Sequence, residues 1–414
     1  MKKVYFKTFG CRTNLYDSQV MMGALKEYEI TEVEDEADVV VINSCTVTNG
    51  ADTHVRSYIS QLEKTNDAKV FLTGCGAHTK GESLLAQGRV AGVFGQSEKL
   101  KIDSMLSREK PYYEPGDLNH IDKTIVDDFV GKSRAFIKIQ EGCNFSCSYC
   151  IIPSVRGIAR SMDEEGILEQ ITRLALNGFG EFILTGTNVG SYGQDTDTSL
   201  AKLMKRISVI RGVRRIRLGS VEPIQITDEF LELLDEPWLE KHLHIALQHT
   251  SPDMLKIMSR RNVYKQDKKL FELLSSKGFA IGTDFITGHP GESEEIWNEA
   301  TINAKDLPLT HIHAFSYSKR DGTASATMKP EINGKLAKQR LHEIEALIKQ
   351  KNYEFRKAFD GELEVLIEGK KDGLYHGYDQ HFNKVVLESD EDLLGNWLNI
   401  SDYEVKEEFN YARV

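Results

Sequence analysis

Residues 143–150 read Cys143-Asn-Phe-Ser-Cys147-Ser-Tyr-Cys150, and this stretch decides how the rest of the chain is interpreted. It follows the apolar run AFIKIQ (135–140), which is typical of a buried strand. Gly142 and Pro153 flank it and predict an irregular loop. Three thiolates in one short loop suit three corners of a [4Fe–4S] cluster, with one iron left open for an outside ligand. A four-cysteine zinc site is disfavoured because no fourth cysteine lies nearby.

The other three cysteines occupy equivalent positions in the first part of the chain. Cys11, Cys45 and Cys75 each follow directly on a predicted strand, in YFKTFGC, VVINSC and FLTGC. Ligand sites in open parallel sheets form at the carboxyl ends of the strands, so the three thiols should meet at one edge. A lone cysteine there would more often be a small core residue. Three at equivalent positions favour a second metal cluster.

Length and composition are consistent with this interpretation. A chain of 414 residues is too long for one ordinary core, so two or three domains are expected. The hydrophobic and charged fractions, 40% and 28%, are typical of globular proteins. We find no apolar run of about 18 residues and no export signal, so we expect no membrane partner and a cytoplasmic location. In a reducing compartment, cysteines favour metal binding or catalysis over disulfides.

The strand and helix pattern predicts an α/β fold in four parts. Residues 1–125 form an open α/β layer domain in which Asp17-Ser18 is expected to cap a helix. Residues 130–333 contain six predicted βα units, which suit a partial (β/α)6 barrel, since a closed eight-fold barrel needs more chain. Residues 334–360 are predicted to form a bridging helix, and residues 361–414 a small β-barrel.

The motifs resemble a known family. Cys143-x3-Cys147-x2-Cys150, with Tyr149 before the last cysteine, resembles the radical S-adenosylmethionine (SAM) motif. The three amino-terminal cysteines, the motif GC-x2-N-x2-DSQ at residues 10–19 and the β-rich tail resemble the methylthiotransferases. The resemblance covers essentially the whole chain. It implies a cluster domain, a radical-SAM partial barrel and a TRAM-type β-barrel.

The resemblance also implies cofactors and site residues. The cofactors are two [4Fe–4S] clusters and SAM, whose reductive cleavage at the barrel cluster yields a 5′-deoxyadenosyl radical. Segments such as LTGTNVGSYG (184–193), SVEP (220–223) and GTDFITGHPGE (282–292) resemble the family's strand ends. The implied cofactor contacts are Tyr149, Gly186, Asn188, Ser220, Glu222 and Gln248. No catalytic residue is assigned beyond the clusters, and Asn14 and Asp17 are interpreted as turn and cap residues.

Within the family, KTFGCRTN, NSCTVTN and GSVEP resemble the branch acting on threonylcarbamoyladenosine. The implied reaction replaces the C2 hydrogen of N6-threonylcarbamoyladenosine, on the 3′ side of the tRNA anticodon, with a methylthio group. The implied partners are the anticodon stem-loop, a sulfur source and an electron donor such as flavodoxin or ferredoxin. His249-Thr250 and Lys319-Arg320-Asp321 depart from the usual family pattern. Alternatives are methylthiolation of isopentenyladenosine or of a ribosomal protein aspartate, or a non-catalytic electron-transfer or RNA-binding sensor protein.

The charge distribution bears on RNA binding. The net charge of −11 disfavours a nucleic-acid partner, but phosphate contact needs only a local basic face. Such a face is expected in the barrel domain, and we predict that Arg214 and Arg215 contribute more to RNA binding than Lys370 and Lys371 do. The alternative is an ordinary solvated surface. The candidate basic residues are Lys202, Lys205, Arg206, Arg211, Arg214, Arg215, Arg217, Lys256, Arg260 and Arg261.

Overall fold

The computed structural model describes residues 1–121 and 133–414. The predicted boundary between the first two domains, at residues 125–130, lies outside the described residues. The helices are α1 Arg12–Ala24, α2 Asn49–Thr65, α3 Glu82–Ala86, α4 Ile102–Leu106, α5 Ile152–Arg156, α6 Glu164–Leu176, α7 Leu200–Ser208, α8 Asp228–Leu231, α9 Pro252–Ile257, α10 Tyr264–Ser276, α11 Glu294–Asp306 and α12 Gly334–Ala358. In the part of the chain described here, none of these helices is both long and apolar enough to span a bilayer.

The strands form an α/β arrangement in three successive regions. They are β1 Lys2–Thr8, β2 Tyr28–Ile30, β3 Val39–Ser44, β4 Lys69–Gly74, β5 Gly92–Phe94, β6 Tyr112–Glu114, β7 Ala135–Glu141, β8 Arg160–Ser161, β9 Glu181–Gly186, β10 Arg215–Leu218, β11 His242–His244, β12 Ala280–Thr287, β13 His311–Ser316, β14 Leu363–Lys371, β15 Leu374–Tyr378, β16 Lys384–Glu388, β17 Trp397–Ile400, β18 Glu404–Val405 and β19 Asn410–Arg413.

The first region is a parallel sheet in the order β2-β1-β3-β4-β5-β6. Strand β3 is buried along its whole length, as a continuous apolar run predicts for a strand covered on both faces. One face packs against apolar residues of α2, and the other against residues of α1 and α4. The sequence predicts four of these six strands, namely β1, β3, β4 and β5, from their apolar runs. The other two, β2 and β6, are edge strands of three residues each, too short for a periodic signal.

The start of α1 corrects one prediction. The helix begins at Arg12 with Cys11 as its N-cap, so the expected cap at Asp17-Ser18 is wrong. Asp17 lies inside the helix and is completely buried, as is Asn14. The helix begins at Arg12, shortly after β1 ends at the sheet edge, and α1 then packs against β7 and β9.

The second region confirms the predicted partial barrel. Strands β7, β9 and β10 pair in parallel, and so do β11, β12 and β13. Isolated parallel bridges, Ile216–Leu239 and Val221–Ile245, join the two groups. The six parallel strands therefore follow one another in chain order around an arc, and the short β8 pairs antiparallel at the outer edge of β7. One apolar core fills the arc and extends to residues of α1.

The carboxyl-terminal region consists of α12 and a curled six-stranded sheet in the order β17-β14-β15-β16-β19-β18. Its core includes Leu363, Val365 and Ile367 on β14, which point to one face as the alternation of a strand requires. The run YEVKEEF is predicted to form a strand, but β18 contains two residues of it.

Seven of the ten residues of the expected basic face of the barrel domain are exposed, but two of its arginines lie inside the protein. Arg215 and Arg217 are buried, and both pair with Glu181. Arg215 also donates to the carbonyl of Glu364 (2.7 Å), and Arg217 to that of Asp379 (2.7 Å). These two arginines therefore join the barrel to the carboxyl-terminal sheet. The interpretation of Arg215 and Arg217 as phosphate contacts is wrong, because their positive charges are paired with carboxylates inside the protein.

Candidate iron–sulfur and cofactor sites

The barrel cysteines lie on the loop between β7 and α5 and line a cavity of about 370 Å³. Five of the six predicted cofactor contacts line the same cavity. They are Tyr149, Asn188, Ser220, Glu222 and Gln248. The sixth, Gly186, ends β9 beside Gln140, where an added Cβ would lie 2.7 Å from the Gln140 carbonyl oxygen. The structure thus brings five predicted residues together around the cysteines and places Gly186 where strands approach closely.

Local backbone geometry explains the shape of the cysteine loop. Gly142 has a φ of +75°, and a Cβ on it would lie 1.8 Å from the carbonyl oxygen of Ile158. This position therefore accepts glycine alone. The Cys143 amide donates to the Gly157 carbonyl (3.1 Å), and the Ser148 amide to that of Met258 (3.0 Å). The second bond ties the loop to the segment after α9, and the half-buried Tyr149 packs edge-on against His289.

The surroundings of the barrel cysteines suit a metal cluster. Burial raises the pKa of the Cys150 thiol to about 12, and it also raises that of Cys147. Without a metal these thiols are therefore neutral at neutral pH. Asn188 donates its amide to Cys143 Sγ (3.5 Å), and Arg260 donates to Cys147 Sγ (3.6 Å). Donors aimed at sulfur are what cluster thiolates require.

Arg260 is a site residue that the sequence analysis misassigns to a basic surface. Its side chain is buried and forms a two-pronged ion pair with Glu222, one arm at 2.8 Å. Its Nε donates to the Asn262 side chain (3.2 Å), which in turn donates to Asp267 (2.8 Å). Arg260 therefore fixes the Glu222 carboxylate at the cavity wall and places a positive charge beside Cys147.

The amino-terminal cysteines lie at one edge of the first sheet, after the adjacent strands β1, β3 and β4. Cys11 is exposed, and Cys45 and Cys75 are buried. Gly10 has a φ of +105°, and a Cβ on it would lie 2.6 Å from that of Cys45. Burial raises the pKa of the Cys45 thiol to about 11, although the Val47 amide opposes this, and the neighbouring Cys75 and Cys11 add to the rise. Two buried thiols and one exposed thiol at this edge fit a second cluster.

A buried ionic network touches this second triplet. Arg156 donates its Nε to Cys75 Sγ (3.1 Å) and pairs with Asp17 (2.8 Å) and Glu141 (2.5 Å). It also donates to the side-chain oxygen of Asn14. All five residues are nearly inaccessible to solvent. Arg156 ends α5, so the segment that carries Cys150 also reaches a cysteine of the other triplet.

Asp17 is the anionic centre of this network. Its carboxylate contacts Lys138 (2.7 Å), Lys99 (2.8 Å) and Arg156 (2.8 Å). Burial by itself would raise the pKa of Asp17, but these three cations hold it far below its ordinary value. The network contains residues from both α/β regions. Asn14 and Asp17, interpreted as turn and cap residues, are instead structural supports of the triplet.

A second contact between the regions forms beside the cavity. Arg320 pairs with Asp52 (2.6 Å), and its Nε donates to the Val47 carbonyl (3.2 Å). Val47 and Thr48, which follow Cys45, line the same cavity as the barrel cysteines. The cavity therefore lies between the segments that carry the two triplets. The sequence gives no sign of this because Arg320 and Asp52 lie 268 residues apart.

Comparisons with known proteins agree with this arrangement. The profile of the uncharacterized protein family UPF0004 matches residues 3–95, and that of the Radical SAM superfamily matches residues 137–301. The structure of the radical SAM methyltransferase TsrM from Kitasatospora setae aligns with a TM-score of 0.57 at 14% identity, over 79% of this chain and 74% of that one. At that identity, the likeness shows a shared fold.

Relatives of known name match over nearly the full length. A Helicobacter pylori (strain J99) protein, provisionally named a methylthiotransferase, is 53% identical over 100% of both chains. The Bacillus subtilis threonylcarbamoyladenosine tRNA methylthiotransferase MtaB is 34% identical over 97% of this chain and 93% of its own. A Pseudothermotoga lettingae tRNA-2-methylthio-N(6)-dimethylallyladenosine synthase is 33% identical over 94% and 93%. The chain therefore belongs to the radical SAM methylthiotransferase family, whose members use SAM and [4Fe–4S] clusters.

Proposed function

We propose that this enzyme inserts a methylthio group at C2 of N6-threonylcarbamoyladenosine in tRNA, on the 3′ side of the anticodon. The carrying observation is the cavity that is lined by all three barrel cysteines and also by Val47 and Thr48, which follow Cys45 in the chain. Chemistry at one triplet can therefore reach a group held beside the other. This suits a reaction that both activates a base and delivers sulfur to it.

The two triplets and the cavity wall would have distinct roles in this reaction. Cys143, Cys147 and Cys150 would hold one [4Fe–4S] cluster, and Cys11, Cys45 and Cys75 the other. When bound, the clusters and SAM supply the radical and the sulfur-bound methyl group. Cofactor contacts are assigned to Tyr149, Asn188, Ser220, Glu222 and Gln248, with Gly186 allowing the close approach of β9 to β7.

The chain's own residues orient and enclose the reactants. Arg260 fixes Glu222 at the cavity wall and favours its charged form, whereas burial raises the pKa of that carboxyl. Ile286 and Phe315 add apolar surface beside the polar contacts. Such a wall excludes water from a reactive intermediate, and the target base must leave the stack of the anticodon loop to reach it.

The polarity of the barrel interior supports the threonylcarbamoyl nucleoside over the isopentenyl one. His244, Asp284 and His313 lie on the lumen side of β11, β12 and β13, next to the cavity. A polar substituent with a carboxylate and a hydroxyl suits these groups better than an aliphatic one, which would offer them no further hydrogen bond. Relatives of both specificities match at similar identity, so this polarity is the distinguishing observation.

The remaining parts of the proposal follow from the reaction. A tRNA anticodon stem-loop as substrate implies a cytoplasmic enzyme. Reductive cleavage requires an electron donor of the flavodoxin or ferredoxin class, and the methylthio group requires a sulfur source.

The test is nucleoside mass spectrometry of tRNA from cells with and without the gene. We expect the methylthio form of threonylcarbamoyladenosine to disappear in the deletion strain and to return with the wild-type gene but not with Cys147→Ala. Its persistence, in a cell without a second such enzyme, would contradict the proposal. Loss of the methylthio-isopentenyl nucleoside instead would favour the alternative substrate.

A further inference from the structure

Three metal-ligand side chains lie together inside the barrel, apart from the six cysteines. His244 on β11, Asp284 on β12 and His313 on β13 present ligand atoms that all lie within 4.8 Å of one another. His244 Nε2 is 3.1 Å from Asp284 Oδ1, and His313 Nδ1 is 3.7 Å from the same oxygen. The two imidazole rings stack with centroids 4.9 Å apart. We propose that these residues form a binding site for a divalent transition-metal ion.

Strand register builds the site. Asp284 pairs directly with His313, and His244 pairs with Gly282, two residues before Asp284. Neighbouring parallel strands point residues at paired positions to the same face. A Cβ on Gly282 would lie 2.9 Å from a ring nitrogen of His244, so glycine leaves the space that the imidazole occupies. Three adjacent strands thus hold the ligands on rigid backbone.

The spacing suits a metal ion. With metal–ligand bonds of about 2.0 to 2.1 Å, ligand atoms on one ion lie about 3.0 to 3.5 Å apart. The two distances to Asp284 are within a few tenths of an ångström of this range. Two imidazole nitrogens and one carboxylate oxygen suit Zn²⁺, Mn²⁺ or Fe²⁺ and leave coordination positions open.

Charge supports the same assignment. In residues 1–121 and 133–414, no lysine or arginine forms an ion pair with Asp284, whose side chain is 22% exposed. Gln248 donates to its second oxygen at 3.4 Å, which leaves Oδ1 facing both histidines. A divalent ion bound by one nitrogen of each imidazole and by Oδ1 of Asp284 would supply this carboxylate with a cation.

The site lies one residue layer below the cofactor cavity. Ile286 and Phe315, a paired position two residues beyond Asp284 and His313, line that cavity, as does Asp284 itself. The open coordination positions face the lumen and would take an oxygen ligand from it. The neighbouring His311 is not part of the site, since its ring nitrogens contact Thr310 and Asn352.

The test is zinc binding by the full chain after both triplets have been loaded with iron. The protein is dialysed against Zn²⁺ alone, and zinc and iron are measured by mass spectrometry. We expect about one bound zinc per wild-type chain. In His313→Ala and His244→Gln, the zinc affinity should be weaker than in wild type by about tenfold or more. His342→Ala is the matched control, because that exposed histidine lies on α12 and pairs with Glu345.

Equal iron in all variants shows that the cysteine sites and the fold are intact. His313 is 63% exposed, so its loss should not unfold the chain. If hydrogen bonds alone hold His244, Asp284 and His313 together, the wild-type chain will bind no zinc at this site. Either that result or equal zinc in wild type and His313→Ala would overturn the proposal. The measurement contains no RNA, so its outcome is independent of the proposed nucleoside substrate.

Discussion

The two cysteine triplets reach similar chemistry by opposite structural routes. The barrel triplet occupies eight consecutive residues, 143–150, on one loop at the cavity wall. The amino-terminal triplet is collected from three strand ends and supported by a buried ionic network. Its geometry therefore depends on the packing of two regions, whereas that of the barrel triplet depends on local backbone. A cluster site can therefore be formed by one loop or assembled from separate strand ends, and the assembled site should be sensitive to distant substitutions.

The largest expected effect separates the triplets by reaction step. Replacing Cys147 with alanine should abolish SAM cleavage and remove about half of the reconstituted iron, because the barrel cluster loses a thiolate. Cleavage is measured as 5′-deoxyadenosine formed by the anaerobically reconstituted protein. Cleavage at the wild-type rate would show that the radical chemistry does not depend on this triplet.

The matching change at the other triplet should give a different phenotype. The triple variant Cys11→Ala, Cys45→Ala, Cys75→Ala should form no methylthio product and also lose about half of the iron. SAM cleavage should survive without coupling to product, because the barrel loop folds locally. Loss of cleavage together with insertion would mean that the barrel triplet also depends on the amino-terminal region.

Removal of Arg156 tests how far the assembled triplet relies on packing. Arg156→Met leaves Asp17 and Glu141 buried with one cation fewer, and breaking such a buried pair costs about 3–5 kcal/mol of unfolding free energy. Chemical denaturation measures the loss. Iron at the amino-terminal triplet should fall while the barrel triplet keeps its own.

Arg206→Met is the control for this change. Arg206 is exposed and pairs with Glu164 and Glu165 at the surface, so its loss should leave the unfolding midpoint nearly unchanged. Equal effects of the two substitutions would contradict the view that the network supports the fold.

The smallest effect concerns pH and the support of Arg260. Burial raises the pKa of Asp267 to about 6 from its ordinary 3.8. The folded chain therefore keeps a proton that the unfolded chain releases between these values. The stabilisation is fully present below pH 3.8 and is lost as the pH rises through 6, by about 3 kcal/mol. Asp17, held far below its ordinary pKa, contributes with the opposite sign, because its stabilisation is present above its ordinary pKa and is lost as the pH falls below it.

Thermal unfolding between pH 4 and 6 measures this contribution. Asp267→Asn should remove that part of the pH dependence while keeping the hydrogen-bonded position next to Asn262. An unchanged pH profile in the variant would show that another group titrates.

Two departures from the usual family pattern turn out to have structural roles. His249 is buried and contacts Glu292 at 3.2 Å, and Thr250 donates to the Ala300 carbonyl at 2.7 Å. Arg320 pairs with Asp52 in the first region. From the sequence alone, these positions are expected to lie in substrate-side loops. His249 and Thr250 instead hold the segment before α9 against α11.

The sequence by itself predicted the barrel cysteine loop as a cluster site, four of the six strands of the first sheet, the six parallel strands of the barrel, and the family. Spacing within one loop and apolar periodicity are local properties, so they can be interpreted without knowing which distant residues come into contact. Placing Cys11, Cys45 and Cys75 at one edge required one topological rule, that the carboxyl ends of parallel strands meet.

Only the tertiary structure decided which charged side chains are buried and paired inside the protein. Arg156 meets Cys75 across 81 residues of sequence, and Arg217 meets Asp379 across 162. Nothing in the local sequence distinguishes Arg156 or Arg217 from an arginine on the surface. The same holds for His244, Asp284 and His313, which strand register aligns. The energy of a charge depends on its partners and its exposure, and both are fixed only when distant segments pack together.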